Sequence, residues 1–241
     1  MQRRNNVKDE GFERSLMRIW AIIPAAGISS RMNADRPKQY VMLAGQTVLT
    51  RVVNLLSSHP DIEKVVVVLN AQDPWWPTLS LKHPEKILTT IGGKERVHSV
   101  LLGLDYLKDF AKADDFVLVH DAARPCLQLK TISRLLSELK GDAVGGLLGL
   151  PVVDTLKKVN AEAIVENTVS REGLWQAQTP QCFRYGILKN AIEKALADHQ
   201  VITDESSAIE YVGLKPKMIL GDVCNIKITY PEDWVLAEKG M

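Results

Sequence analysis

The chain has 241 residues, of which 46% are hydrophobic and 24% are charged, a composition that excludes fibrous, collagen-like and wholly disordered proteins. The 30 Lys and Arg against 29 Asp and Glu leave a net charge of +1, so no overall field favours nucleic acid or a membrane surface. The 3 cysteines lie far apart in the sequence and indicate neither a disulfide framework nor a zinc site. They favour a reducing cytoplasm.

The beginning of the chain is polar and charged, and we interpret residues 1–16 as a disordered tail. Arg3 and Arg4 are not followed by an apolar stretch, so the segment does not have the pattern of a signal peptide. Met17 directly precedes the first apolar segment, and our hypothesis is that it is the biological start. We expect residues 17–241 to form a single domain.

Short apolar runs alternate with helical patterns through the first 140 residues. Continuous apolar runs, typical of strands buried on both faces of a parallel sheet, lie at 19–23, 65–69 and 116–119. We also expect a short strand at 87–90. Apolar residues at helical spacing predict helices at about 48–56, 97–107 and 129–139. This alternation predicts an α/β sheet, whose ligands bind beyond the carboxyl ends of the strands.

The pattern changes after Leu150. Residues 151–172 are rich in Val and Thr around the polar triplet Asn160-Ala161-Glu162, which predicts a β-hairpin with a polar tip. Because a protruding arm has few core contacts, we expect it to pack on a second copy of the chain in a homodimer. The later elements that we predict are a helix from Ile187, strands near 217–220 and 225–228, and a last helix from Glu232.

Small residues follow the first predicted strand, in the segment Pro24-Ala25-Ala26-Gly27. Small side chains let the backbone approach a ligand and turn its N–H groups toward phosphate oxygens. Arg31 and Lys38 bring two cations to the same place. The segment therefore predicts a polyphosphate site, with an ordinary strand-to-helix loop carrying solvated cations as the alternative.

Two further polar segments follow predicted strands. An Asp at position 121, directly after the third strand, can bind sugar hydroxyls or a divalent ion. The alternative is that Asp121 pairs with Arg124 to close a turn before Pro125. The other segment, Gly92-Gly93 with Ser99 following, is on its own a turn and a helix start.

Several polar residues in the last third of the chain are also candidates. Lys227 lies in an apolar stretch, and since Lys is rarely buried without a partner, we expect it to face an anion or an acid. Thr203 or Asp204 is expected to cap the helix that follows. Arg171 stands beside Glu172, and an exposed ion pair is the alternative to a functional role.

Together these segments resemble the 2-C-methyl-D-erythritol 4-phosphate cytidylyltransferase family over nearly the whole chain, from about Arg18 to the last helix. The Ala-Ala-Gly loop alone occurs in many nucleotidyltransferases, and its combination with Asp-Ala-Ala-Arg-Pro is far more specific. The segments that carry the resemblance are 24–32, 37–40, 92–93, 119–125, 151–155, 173–175, 179–181, 203–205 and 225–229, with Arg96 and Ser99.

The resemblance implies a Rossmann-like nucleotidyltransferase fold, a mostly parallel sheet flanked by helices, with a β-arm at about 151–172 that embraces a second subunit. It implies transfer of a cytidylyl group from CTP to 2-C-methyl-D-erythritol 4-phosphate, with release of diphosphate, in non-mevalonate isoprenoid biosynthesis. It further implies Mg²⁺ held mainly through the CTP phosphates, with no metal ligand assigned to the chain.

The resemblance also assigns roles to individual residues. Those implied to act on the reacting phosphates are Arg31, Lys38, Arg171 and Lys227. Those implied to bind CTP are Ala25, Ala26, Gly27, Gly93, Ser99, Asp121 and Ala122. Those implied to bind the second substrate are Arg124, Thr155, Thr179 and Thr203. Of these residues, Arg171 and Thr203 are implied to come from the other subunit.

Two residues depart from the family's pattern. Ser29 replaces the second Gly of the loop, and His98 stands where an acidic residue is common. Neither position supplies a cation, so we expect effects on nucleotide affinity and fine geometry.

The alternative functions are a ribitol-5-phosphate cytidylyltransferase, a guanylyl or sugar-nucleotide transferase that shares only the loop, and a non-catalytic CTP-binding module.

Overall fold

The computed structural model describes residues 18–27 and 36–240. The predictions made for the tail, for Met17 and for Ser29 and Arg31 lie outside these residues. In the described part, no helix is long and apolar enough to cross a membrane.

The described residues form strands and helices in alternation. The strands are β1 (Ile19–Pro24), β2 (Met42–Leu43), β3 (Gln46–Thr47), β4 (Ile62–Leu69), β5 (Ile87–Ile91), β6 (Phe116–Val119), β7 (Gly145–Pro151), β8 (Leu156–Val159), β9 (Val165–Val169), β10 (Trp175–Arg184) and β11 (Lys217–Leu220). The α-helices are α1 (Val48–Ser58), α2 (Arg96–Tyr106), α3 (Leu129–Glu138), α4 (Tyr185–Ala197), α5 (Glu205–Tyr211) and α6 (Glu232–Lys239).

A seven-stranded sheet in the order β11-β7-β10-β6-β1-β4-β5 forms the centre of the fold. The strand pairs β1–β4, β1–β6, β4–β5 and β7–β11 are parallel, and β10 is antiparallel to both β6 and β7. Six strands therefore share one direction, which confirms the predicted mostly parallel sheet. Their carboxyl ends lie at one edge, where the loops that follow β1, β5 and β6 converge.

Alternate residues of β1 belong to cores on opposite faces of the sheet. Ala21 and Ile23 pack with α1 and α3, whereas Trp20 and Ile22 pack with α2, α4 and α5. Full burial of an aliphatic side chain contributes about 1.5–3 kcal/mol, so both faces stabilise the strand. The prediction that continuous apolar runs mark doubly covered strands is confirmed for β1, β4 and β6.

The predicted helices are also confirmed, with α1, α2 and α3 covering the expected segments. The last helix begins at Glu232 as predicted. Asp204, one of the two expected caps, precedes α5, and its side chain accepts a hydrogen bond from the backbone N–H of Ser207. This bond satisfies an N–H group that has no partner inside the helix.

The predicted strand at 225–228 is wrong, because this segment has no regular secondary structure. Two backbone carbonyl groups of this segment accept hydrogen bonds from side chains instead of from the backbone of a neighbouring strand. The carbonyl of Ile228 accepts from Lys38 at 2.9 Å, and that of Asn225 accepts from Arg124 at 2.7 Å. One backbone bond, from the N–H of Ile228 to the carbonyl of Ala123, fastens the segment to the residues after β6.

The predicted hairpin is confirmed as β8 and β9, which pair antiparallel to each other in a separate two-stranded sheet. It extends from β7 and β10, two strands that the sequence pattern did not predict, where Pro151 pairs with Trp175. The residues from 151 to 176 are exposed or half-buried. The hairpin therefore projects from the sheet as an arm.

Candidate active site

A cavity of about 310 Å³ lies at the carboxyl-end edge of the sheet. Open α/β sheets bind ligands at this edge, as predicted from the strand pattern. The residues that line the cavity are Pro24, Ala25, Ala26, Gly27, Lys38, Gln39, Gly93, Lys94, Glu95, Arg96, Ser99, Asp121, Ala122, Ala123 and Lys227.

The small residues after β1 form one wall of the cavity. Ala25 continues the sheet for one more bond, since its N–H donates to the carbonyl of Val68 at 2.8 Å. The buried amide of Gln39 donates to the carbonyls of Ala25 and Gly27, at 3.0 and 3.2 Å. Gln39 therefore satisfies the hydrogen-bonding capacity of two carbonyl oxygens in this loop. Its role was not predicted from the sequence, and the neighbouring segment Pro37-Lys38-Gln39 was the available signal.

The turn after β5 packs directly on this wall. A Cβ atom added to Gly92 would lie 2.4 Å from the Cβ of Ala26 and 2.8 Å from the Oγ of Ser99. Ser99 accepts from the N–H of Gly93 and donates to the carbonyl of Glu95, each at 3.2 Å. Only glycine at position 92 permits this close approach, so it sets the distance between the two loops that line the cavity.

His98 lies behind Gly93. A Cβ atom added to Gly93 would lie 2.5 Å from the Cβ of His98, so these backbones are also in close contact. The His98 ring is 3.9 Å from the carboxylate of Glu95 and is not among the groups that line the cavity.

Asp121, at the end of β6, is surrounded by three cations. Its Oδ1 accepts from Arg96 Nε at 2.9 Å, and its Oδ2 lies 3.0 Å from Lys227 Nζ and 3.5 Å from Arg124 Nε. Burial opposes ionisation of this carboxyl group, but the three positive charges prevail and hold the pKa of Asp121 well below its usual range. The expectation that Lys227 faces an acid is confirmed.

Two buried polar residues, Thr179 and His120, hold the backbone next to the Asp121 carboxylate in place. The hydroxyl of Thr179 accepts from the backbone N–H of Asp121 at 3.0 Å and lies 3.0 Å from Nδ1 of His120. The Nε2 of His120 is 3.1 Å from the carbonyl of Arg124, which assigns the ring proton to this nitrogen. Burial lowers the pKa of His120 to about 4, so the ring is neutral near pH 7.

Lys38 and Lys227 bring positive charge to the mouth of the cavity. Lys38 Nζ donates to the carbonyl of Ile228, the residue that follows Lys227, at 2.9 Å. This bond ties the segment after β1 to the irregular segment at 225–228. Two ammonium groups that line one cavity can hold a polyphosphate, the ligand class that the sequence predicted.

The predicted site residues that the structure describes fall into three groups. Those that line the cavity are Ala25, Ala26, Gly27, Lys38, Gly93, Ser99, Asp121, Ala122 and Lys227. Among the other described residues, Arg124 and Thr179 lie directly behind Asp121. Thr155, Arg171 and Thr203 are exposed and are not part of the cavity lining, and Arg171 donates to the carbonyl of Val153 within the arm.

No role was predicted from the sequence for Arg96, which is half-buried and lines the cavity, or for Glu205, the buried carboxylate that pairs with it. Arg96 belonged to a segment singled out for its resemblance to the family, and Glu205 follows the expected helix cap. The two residues are 109 positions apart, so no local pattern indicates their contact.

Comparison with known proteins agrees with this architecture. The family model for 2-C-methyl-D-erythritol 4-phosphate cytidylyltransferase matches residues 19–241. A protein of that name from Dechloromonas aromatica is 50% identical over 222 residues, which cover 91% of this chain and 96% of the relative. Another of that name, from Hahella chejuensis, is 47% identical over 221 residues, covering 92% of each chain.

Solved structures give the same result. The crystal structure of a 4-diphosphocytidyl-2C-methyl-D-erythritol synthase matches with a TM-score of 0.81 and 36% identity, covering 93% of this chain and 99% of the other. The crystal structure of Francisella tularensis 2-C-methyl-D-erythritol 4-phosphate cytidylyltransferase matches with a TM-score of 0.79 and 35% identity, covering 93% and 100%. This chain belongs to the 2-C-methyl-D-erythritol 4-phosphate cytidylyltransferase family.

Proposed function

We propose that this protein transfers a cytidylyl group from CTP to 2-C-methyl-D-erythritol 4-phosphate in non-mevalonate isoprenoid biosynthesis. The products are 4-diphosphocytidyl-2-C-methyl-D-erythritol and diphosphate. Besides the family, the observation that carries the proposal is the cavity in which Lys38 and Lys227 face a loop of small residues. The three free cysteines support a reducing compartment, and we place the reaction in the cytoplasm.

The reaction exchanges one phosphorus–oxygen bond for another. An oxygen of the substrate phosphate bonds to the α-phosphorus of CTP while the bond from that phosphorus to the β-phosphate oxygen breaks. A phosphate monoester has its second pKa near 6 and is mainly dianionic at pH 7, so the nucleophile needs no general base. This agrees with a cavity lined by lysines rather than by a titrating histidine.

Holding anions together is then the main task of the site. We assign the contacts with CTP to the backbone of Ala25, Ala26 and Gly27, to Gly93 and Ser99 at the cytosine, and to Asp121 and Ala122 at the ribose. Arg31 and Lys38 would stabilise the negative charge on the α-phosphate and on the leaving diphosphate. Lys227 would orient the attacking phosphate beside the α-phosphate.

The second substrate would lie between two subunits. We assign Arg124, Thr155 and Thr179 to its pocket, and Arg171 and Thr203 of a second copy to its phosphate. The exposed arm supports an assembly in which the arms are exchanged, because Val153, Ile164 and Val165 are 78, 63 and 55% exposed. Apolar side chains so exposed commonly mark an interaction surface.

Mg²⁺ would enter with the nucleotide. Among the described residues, no group of three or more His, Cys, Asp or Glu is placed to hold a metal ion. Mg²⁺ commonly binds through substrate phosphates and only one or two carboxylates. Of the two carboxylates that line the cavity, Asp121 is already held by three cations and Glu95 is not. When bound, Mg²⁺ would neutralise part of the triphosphate charge.

The test of this proposal is diphosphate release with CTP and Mg²⁺, comparing methylerythritol phosphate with ribitol 5-phosphate. We expect release only with methylerythritol phosphate. Release only with ribitol phosphate would retain the nucleotide chemistry and contradict the substrate. CTP binding without release on either substrate would contradict catalysis and favour the CTP-binding module.

A further inference from the structure

Arg96 links two carboxylates that come from distant parts of the chain. Its Nε donates to Asp121 Oδ1 at 2.9 Å, and its two terminal nitrogens donate to the two oxygens of Glu205 at 2.7 and 3.1 Å. Glu205 is only 2% exposed and is the first residue of α5. The guanidinium is therefore held in one orientation by a bidentate pair on one side and by Asp121 on the other.

The charge of Arg96 is balanced within the protein. Two carboxylates lie within hydrogen-bond distance of it, and each of its three nitrogens already donates to one of them. The lysines that line the cavity are Lys38, Lys94 and Lys227, and Lys227 shares Asp121 with Arg96. Arg96 also lines the cavity, but because all three of its nitrogens already donate to protein carboxylates, it is arranged to hold these rather than a ligand phosphate.

The position of Lys227 depends on that carboxylate. Lys227 lies in a segment without regular secondary structure, and its side chain is 43% exposed. Its ammonium group is 3.0 Å from Asp121 Oδ2 while Arg96 occupies Oδ1, so rotation of the carboxylate would move both bonds. Fixing Oδ1 therefore also fixes the oxygen that holds Lys227.

We propose that Arg96 is a positioning residue: with Glu205 as its buried counter-ion, it orients the Asp121 carboxylate that holds Lys227 at the mouth of the cavity. This inference rests on the proposed function, in which Lys227 orients the attacking phosphate. Small displacements of a group that aligns reactants are costly, since about 1 Å of misplacement can reduce a rate about 100-fold.

The first test is Glu205→Gln, which keeps the shape of the side chain but replaces one acceptor oxygen with an NH₂ donor. We expect kcat to fall about 10–100-fold while KM for CTP changes less than about threefold, because the cations that face the cavity remain. Glu210→Gln is the matched control. It makes the same change on the same helix, where Glu210 accepts from Ser206, and should leave kcat unchanged.

A second variant, Arg96→Ala, tests the arginine directly. We expect a similar loss of kcat, partly recovered by millimolar guanidinium chloride, which can occupy the space between the two carboxylates. Loss of thermal stability alone, with kcat retained in both variants, would overturn the proposal. So would an increase in KM for CTP with kcat unchanged, because Arg96 would then be a nucleotide ligand.

A crystal structure of the Glu205→Gln variant tests the proposal independently of the reaction. We expect the distance from Lys227 Nζ to Asp121 Oδ2 to lengthen beyond hydrogen-bond range, or the Lys227 side chain to adopt several conformations instead of one. An unchanged Asp121–Lys227 pair would overturn the inference even if the enzyme transfers cytidylyl groups as proposed. Displacement of the pair in a protein that releases no diphosphate would uphold the positioning and contradict only the proposed function.

Discussion

Lys227 illustrates how tertiary contacts place a side chain whose local sequence suggests a different structure. Its neighbours Ile226 and Ile228 are apolar, and the pattern predicted a strand. Instead Lys38 and Ala123 fasten Ile228, and the lysine turns to Asp121. A lone charged residue among apolar ones correctly indicated an acidic partner, but the pattern could not identify which acid it was.

The Lys227→Ala substitution should remove a cation from the cavity without removing a core contact. We expect kcat to fall about 10²–10³-fold, by analogy with loss of a charge-stabilising donor in other enzymes, with little change in the thermal unfolding midpoint. Lys215→Ala, at an exposed position outside the cavity lining, is the matched control. Undiminished turnover of the Lys227 variant in steady-state assays would contradict the assigned role.

His120 makes the stability of the fold depend on pH. Burial lowers its pKa to about 4 in the folded chain, against the ordinary value of 6.5. Between these two pH values the unfolded chain binds a proton that the folded chain does not. The contribution of His120 to the free energy of unfolding is therefore complete above about pH 6.5 and falls by on the order of 3 kcal/mol toward pH 4. Below that pH the folded chain also binds the proton, so the loss does not increase further.

Denaturant unfolding at a series of pH values measures this effect. His59, whose pKa is also lowered mainly by burial, adds to the loss in the same direction. Asp121, with a depressed pKa, loses its contribution only below its unfolded value, outside this window. We expect His120→Asn to flatten the pH dependence between 6.5 and 4; an unchanged slope would show that His120 does not cause it.

At the scale of elements, the sequence predicted those strands whose burial leaves a signature in composition. β1, β4 and β6 are covered on both faces, so each is an uninterrupted apolar run. β7 escaped prediction because it begins with Gly145 and Gly146, and glycine is depleted in strands. A Cβ atom on Gly146 would lie 2.1 Å from the carbonyl oxygen of Lys217 in β11, a contact that only the assembled sheet reveals.

The contact between the end of β5 and the loop after β1 gives a prediction about the cavity. The Gly92→Ala methyl group would collide with Ala26 and Ser99, at 2.4 and 2.8 Å from the substituted Cβ. Relieving this overlap must move one of the two cavity walls, and overpacking of this kind costs about 1–3 kcal/mol. We expect CTP binding, measured by calorimetry, to weaken about tenfold or more.

A second glycine variant shows whether the effect is specific. A Cβ atom on Gly240 would meet Cys224 and Leu236 only at 3.4 Å, which is ordinary contact. Gly240→Ala should therefore bind CTP as the parent protein does. If Gly92→Ala also bound CTP normally, the close approach of the two loops would not determine the shape of the nucleotide site.

At the scale of the whole molecule, the convergence of the nucleotide-site candidates was predictable because the loops after parallel strands meet at one edge of the sheet. The predicted residues Thr155, Arg171 and Thr203 are different, since they are exposed and outside the cavity lining. In a single copy of the chain, these three residues do not line a cavity where they could contact the same ligand as the other predicted residues. Their assignment depends on a second subunit, which no periodicity in one chain can place.

The exposed arm predicts the state of assembly. We expect light scattering to give the mass of a dimer, and we expect Ile164→Asp to shift it toward the monomer, because a charge would be buried against the second copy. Leu102→Asp, on the exposed side of α2, is the control and should leave the mass unchanged. A monodisperse monomer for the unsubstituted chain would contradict the exchanged-arm assembly.

The most direct test of the proposed chemistry follows the oxygen atoms. Methylerythritol phosphate labelled with oxygen-18 in its phosphate group is incubated with CTP, Mg²⁺ and the enzyme, and both products are analysed by mass spectrometry. If the substrate phosphate attacks the α-phosphorus, all of the label remains in the cytidylylated product and the released diphosphate carries none. Label in the diphosphate, or release of unlabelled diphosphate with no cytidylylated product, would contradict the account.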